Sequence, residues 1–159
     1  MENYILLLMI VLLIVYFIIN RSLPENTQFR ARAELFLNHL SDTHGNDPDV
    51  ETIKQKFKNN YYYFKENDEY TGFIKGYGRL VGICSKTSED KDVQVNDMLF
   101  VFIHELAHCV CQTYDHDTRF WEKLHKLENY AKEINLIDFS TLSESVCGVN
   151  VVRPGDVLN

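Results

Sequence analysis

The stretch "FIHELAHCVCQTYDHDTRFW", residues 102–121, sets His104 and His108 four residues apart, with Glu105 directly after the first. On a helix that spacing turns both imidazoles to one side, where they can meet one metal ion. Glu105 can then reach the ion's open coordination position and accept the proton of a bound water. Zinc needs a third protein ligand, so that three ligands and a water complete a tetrahedron. His116 is the choice on ligand type and on its position just past the helix, with Asp115, Asp117, Glu122 and His125 as alternatives. The competing account is a buried helix whose histidines only satisfy hydrogen bonds. Cost argues against it, because three ionisable side chains on an otherwise apolar element are expensive unless something coordinates them.

The elements that must position these residues can be read around them. A helix starting near Asn96 or Asp97, either of which can cap its first turn, carries Leu99, Phe102, Ile103, Leu106 and Val110 on an apolar face and ends near Thr113. "TYDHDT" turns the chain into a second helix with Phe120, Trp121, Leu124, Leu127, Ala131 and Ile134 at core spacing. Upstream, Phe29, Ala33, Phe36, Leu37 and Leu40 mark another helix, and "DTHGNDPD" ends it with turn residues. A short helix follows from Val50 to about Lys58, then an aromatic cluster at Tyr61, Tyr62, Tyr63 and Phe64. "YTGFIKGYGRLVGICS" reads as two strands joined by a tight turn at Gly76-Tyr77-Gly78. Its glycines lack the strand-to-helix context and spacing of a phosphate-binding loop.

Composition limits the partners. With 16 Lys and Arg against 23 Asp and Glu, the chain carries a formal charge of -7, a balance that repels a phosphate backbone, so direct DNA binding is not expected. Arg30 and Arg32, with Lys54, Lys56 and Lys58, read as solvated helix faces. Cys84, Cys109, Cys111 and Cys147 show no spacing typical of a disulfide scaffold and are expected as reduced thiols.

Residues 4–19, "YILLLMIVLLIVYFII", hold no charge, Gly or Pro. As a helix they would extend about 24 Å, slightly short of a typical hydrocarbon core of ~30 Å. The "MEN" start and the missing small-residue cleavage site speak against a removed signal peptide. The expectation is a retained single-pass anchor over residues 1–20, a linker over 21–27 and one domain over 28–159. Arg21, Arg30 and Arg32 place that domain on the cytosolic side by the positive-inside rule.

"HELAHCVCQTYDHDTRFW" resembles the WLM branch of the SprT-like zinc metalloproteases, in which His-Glu-Leu-x-His is followed by His-Asp-x-x-Phe-Trp. The resemblance extends from about Tyr61 through "RLVGICS" to "SVCGVNVVRPGDVL", and small forms with such a Cys-Gly tail are similar to proteins of large DNA viruses. It implies His104, His108 and His116 as zinc ligands and Glu105 as the general base of peptide hydrolysis. The implied fold is α+β, a minimal zincin with a small antiparallel sheet packed on helices, here behind a transmembrane helix. A protein substrate is expected to lie along Arg79–Cys84 as an added strand. This chain departs from cellular relatives that repair DNA–protein crosslinks. Neither a basic DNA-binding surface nor an appended module is expected from this sequence, and its loop from His108 to His116 is longer. The peptidase chemistry therefore carries over better than the repair role. The reading from another class is a membrane-anchored interaction protein whose zinc is structural, closed by Cys109 or Cys111. Oligomeric state and natural substrate are not readable from the sequence.

Overall fold

The structure is a computed structural model that describes residues 6–14, 24–67 and 69–151. Residues 6–14 are helical and exposed along their length. The domain follows as α1 (Glu25–Thr43), α2 (Pro48–Lys56), β1 (Tyr61–Lys65), β2 (Gly72–Lys75), β3 (Leu80–Lys86), α3 (Val95–Cys111) and α4 (Thr118–Glu133). A short 3-10 turn (Phe139–Thr141) then leads to the hairpin β4 (Ser145–Val146) and β5 (Val149–Asn150).

The anchor expected over residues 4–19 needs correcting. Among the described residues, no helix is long and apolar enough to cross a membrane. The described helical residues of that run are 6–14, which at 1.5 Å per residue reach about 14 Å. A hydrocarbon core is ~30 Å thick. The sequence estimate assumed that all sixteen apolar positions extend one helix, whereas positions 4, 5 and 15–19 lie outside the described residues. The single-pass topology and the cytosolic placement built on it fall with it.

The core is organised by α3. Leu99, Phe102, Ile103, Leu106, Ala107 and Cys109 are all fully buried, and hydrophobic side chains occupy every face of this helix, as expected of one enclosed on all sides. It packs against α1, α2 and α4 and against the sheet through β2 and β3. From α1, Phe29, Ala33, Phe36 and Leu40 enter this core, so the stripe read from the sequence is the buried face. α1 itself begins at Glu25, inside the stretch read as linker. α2 begins at Pro48, two residues before the position read from sequence, because Asp47 caps it by accepting from Asp49 N at 2.8 Å and Pro48 suits the first turn.

The sheet order is β1-β3-β2, with β2 antiparallel to β3 and β1 parallel to it. The sheet is therefore mixed rather than antiparallel. β2 and β3 form the hairpin expected from the sequence, and Gly76, Tyr77 and Gly78 all take positive φ in its turn. The tyrosine run, read only as a cluster, is the third strand: Tyr61 and Tyr63 face inward onto Phe29, with ring centroids 5.4 and 6.1 Å away. Because β3 is central, both its edges are occupied, and it cannot accept a substrate strand as expected. The open edge beside α3 is β2.

Cys84 and Cys147 form a disulfide across 63 positions, joining β3 to the β4–β5 hairpin; Cys109 and Cys111 remain free and buried. Reduced thiols throughout were expected, and this pair corrects that. The fold brings together two cysteines whose separation carries no local signal.

Candidate metal centre

α3 starts without a side-chain cap at Gln94. The two residues expected to cap it act elsewhere. Asn96 exchanges hydrogen bonds with the backbone of Asp138, and the Asp97 carboxylate accepts from Ser143 N at 3.0 Å and Ser143 Oγ at 2.7 Å. These contacts pin the C-terminal segment across the helix start. At the other end Gln112 takes a left-handed conformation at φ 55° and stops the helix after Cys111, slightly earlier than expected. The reversal brings the Thr113 carbonyl within 2.9 Å of His108 Nδ1. With Nδ1–H donating to that carbonyl, the lone pair of His108 Nε2 is free for a metal.

The next segment delivers His116. Asp117 caps α4 by accepting from Phe120 N at 2.9 Å, and Trp121 Nε1 donates to the His116 carbonyl at 2.9 Å. His116 is thereby held over α3, its Nε2 lying 2.9 Å from His104 Nε2 and 3.2 Å from His108 Nε2. Phe120, fully buried, forms the floor on which all three imidazoles rest, with centroids 4.8, 4.4 and 4.6 Å from His104, His108 and His116. The sequence marked Phe120 only as a core residue. Its contact with all three rings depends on how α4 crosses α3.

The donor set fits zinc. Burial, reinforced by the neighbouring imidazoles, pushes His104 down to about 3; burial pushes His108 down to about 4 and lowers His116. All three rings are therefore neutral near pH 7, the form in which an imidazole can bind a metal. Three neutral nitrogens facing one another cannot each be satisfied by hydrogen bonds among themselves, since each contact needs one donor and one acceptor. A tetrahedral ion with Zn–N distances of about 2.0–2.1 Å resolves this after a small outward shift of the rings. Among the described residues these three histidines form a group able to hold a metal, and none of Asp115, Asp117, Glu122, His125, Cys109 or Cys111 belongs to it.

Glu105 lies on the same helix, 5% exposed, and burial pushes its carboxyl up to about 8. It shares the wall of a cleft of about 420 Å³ with His104, His108 and His116. The other walls are β2 with the residues before it (Glu69 to Ile74), Tyr114, Trp121 and the hairpin residues Val149, Asn150 and Val151. Gly72 allows β2 this close: a Cβ there would stand 2.4 Å from Val101 Cγ1 and 3.0 Å from Glu105 Oε1. Sequence reading placed Gly72 in a strand but gave no sign of this approach. Cys84 N donates to Thr71 O, so the antiparallel alternation turns the backbone groups of Gly72 and Ile74 to the open edge, along the cleft.

The WLM domain family model matches residues 67–154. The chain is 25% identical over 107 residues to the uncharacterized protein R325 of Acanthamoeba polyphaga mimivirus, covering 64% of this chain and 54% of that protein. It thus spans about half the length of the curated relative it matches. A similar solved structure is that of Wss1 from Saccharomyces cerevisiae, at 20% identity and a TM-score of 0.45, covering 55% of this chain and 71% of the other. The matched family segment holds both histidines of the His-Glu-x-x-His helix, Glu105, His116 and the cleft wall at β2, and the chain belongs to the WLM domain family.

Proposed function

We propose that this chain is a zinc-dependent metallopeptidase that cleaves protein substrates, with His104, His108 and His116 as ligands and Glu105 as general base. The observation that carries the reading is the convergence of three Nε2 atoms beside a buried carboxylate in an open cleft. Zinc, when held by His104, His108 and His116, would supply Lewis acidity toward a peptide carbonyl and make water acidic near neutral pH. The cation beside Glu105 would favour its carboxylate form and offset the burial that raises its pKa, so that Glu105 could take the proton of the attacking water and return it to the leaving amine. Phe120 and the Thr113 carbonyl hold the imidazole rings in place while this occurs. An extended substrate segment pairs with Gly72 and Ile74 at the free edge of β2 and so crosses the cleft beside Glu105. The net charge of -7 favours a protein over a nucleic acid as the bound macromolecule.

A purely structural zinc site would close its fourth position with Cys109 or Cys111. Both thiols are buried and neither lines the cleft. The test is Glu105→Gln, which keeps size and metal ligands but removes the proton acceptor. Cleavage of an unfolded protein substrate should fall by about 10² to 10⁴, with zinc content unchanged. Equal activity in both proteins, each with zinc bound, would reject Glu105 as the base.

A further inference from the structure

A second convergence of ligating atoms lies at the opposite end of α4. His39, near the end of α1, and His44, which caps that helix, both direct Nε2 at one oxygen of Glu133, the last residue of α4. The distances to Glu133 Oε2 are 2.8 Å from His39 and 2.7 Å from His44. All three ligand atoms lie within 4.8 Å of one another, the same clustering that identifies the first centre. Glu133 lies thirteen positions along the helix from Phe120, about 20 Å at 1.5 Å per residue, so this cluster is distinct from the cleft.

We propose that His39, His44 and Glu133 form a second zinc site, one that ties the end of α1 to the end of α4. Two nitrogens and one carboxylate oxygen are a zinc donor set, with water completing the tetrahedron. The surroundings suit both the empty and the filled state. Thr43 Oγ1 lies 3.3 Å from His39 Nδ1, and a hydroxyl can donate to that nitrogen when Nε2 carries the proton or accept from it when Nε2 binds metal. The His44 ring is stacked on Tyr130 at 3.7 Å and 18°, and Tyr130 is itself fixed by its hydroxyl donating to Asp47 Oδ2 at 2.7 Å. Ring orientation is thus set before an ion arrives. Moving from the present hydrogen-bonded contacts to Zn–N and Zn–O distances of about 2.0–2.2 Å needs only a small opening between α1 and α4. Such a site is solvent-accessible and far from the substrate cleft, so its role is to staple two helices rather than to react.

The experiment uses the full chain, stripped of metal, with zinc alone as the probe, and counts bound ions by equilibrium dialysis and elemental analysis at low micromolar free zinc. The wild type should bind two ions. Glu133→Gln and His39→Gln should each bind one, with affinity at the lost position weakened at least about tenfold. A His104→Gln/His116→Gln protein should retain the ion that Glu133→Gln removes, which separates this site from the cleft. Thermal melts of the metal-free variants establish that they fold, and the ring resonances of His39 and His44 should shift on zinc addition. A zinc count unchanged by both Glu133→Gln and His39→Gln, with those resonances unmoved, would overturn the proposal.

Discussion

At the scale of single residues, buried carboxyls are the most sensitive points of this fold. Glu128 on α4 is 4% exposed, its Oε1 has no hydrogen-bond partner, and burial pushes its pKa from an ordinary value near 4.5 up to about 7. A carboxyl whose folded pKa is raised holds its proton more tightly in the folded state. Its contribution is therefore favourable at low pH and is lost as pH rises from about 4.5 through about 7. Glu128→Gln should match the wild type near pH 5 and be more stable by about 1–3 kcal/mol at pH 8. Denaturant melts at the two pH values check this, and a gain that does not grow with pH would contradict it. Gly72 is sensitive for a steric reason. Gly72→Ala would drive a methyl into Val101 and Glu105 and should cost about 1–3 kcal/mol through overpacking. It should also lower cleavage activity, because β2 must retreat from the base; a variant with wild-type melting and turnover would show that the strand yields without cost.

At the scale of elements, the disulfide ties the hairpin that walls the cleft to the strand at the sheet's centre. Closing a loop of 63 positions is worth about 4 kcal/mol in the chain-entropy account. Cys147→Ala, or reduction of the wild type, should lower stability by up to that amount. It should also speed amide exchange at Val149 and Val151, which line the cleft. Unchanged exchange there on reduction would mean that the Ser143–Asp97 contacts alone hold the hairpin. This element also shows what sequence can and cannot reveal. The clustering of His104 and His108 beside Glu105 was legible because their spacing is local to one helix, and the nearness of His116 because it follows within a turn. The pairing of Cys84 with Cys147 and the parallel docking of β1 on β3 were not, since both are contacts between distant segments. Asp97 looked like a cap because capping is a local pattern, but Ser143 claims its carboxylate. The apolar run before the domain read as an anchor because hydropathy is a pattern of composition, and no described helix is long and apolar enough to cross a membrane.

At the scale of the whole molecule, one buried helix carries His104, Glu105 and His108, and the start of α4 is laid across it so that His116 closes the histidine group over Phe120. The sheet contributes its free edge rather than its centre, and the crosslinked hairpin completes the cleft. On the proposed reading, this arrangement serves a three-histidine zinc site with one open position. X-ray absorption at the zinc edge of the Glu133→Gln protein reads that site directly, with the outlying cluster disabled. Three nitrogens and one oxygen at about 2.0–2.1 Å are predicted, with no heavier scatterer. A sulfur shell at about 2.3 Å would place Cys109 or Cys111 on the metal and contradict the open, catalytic centre.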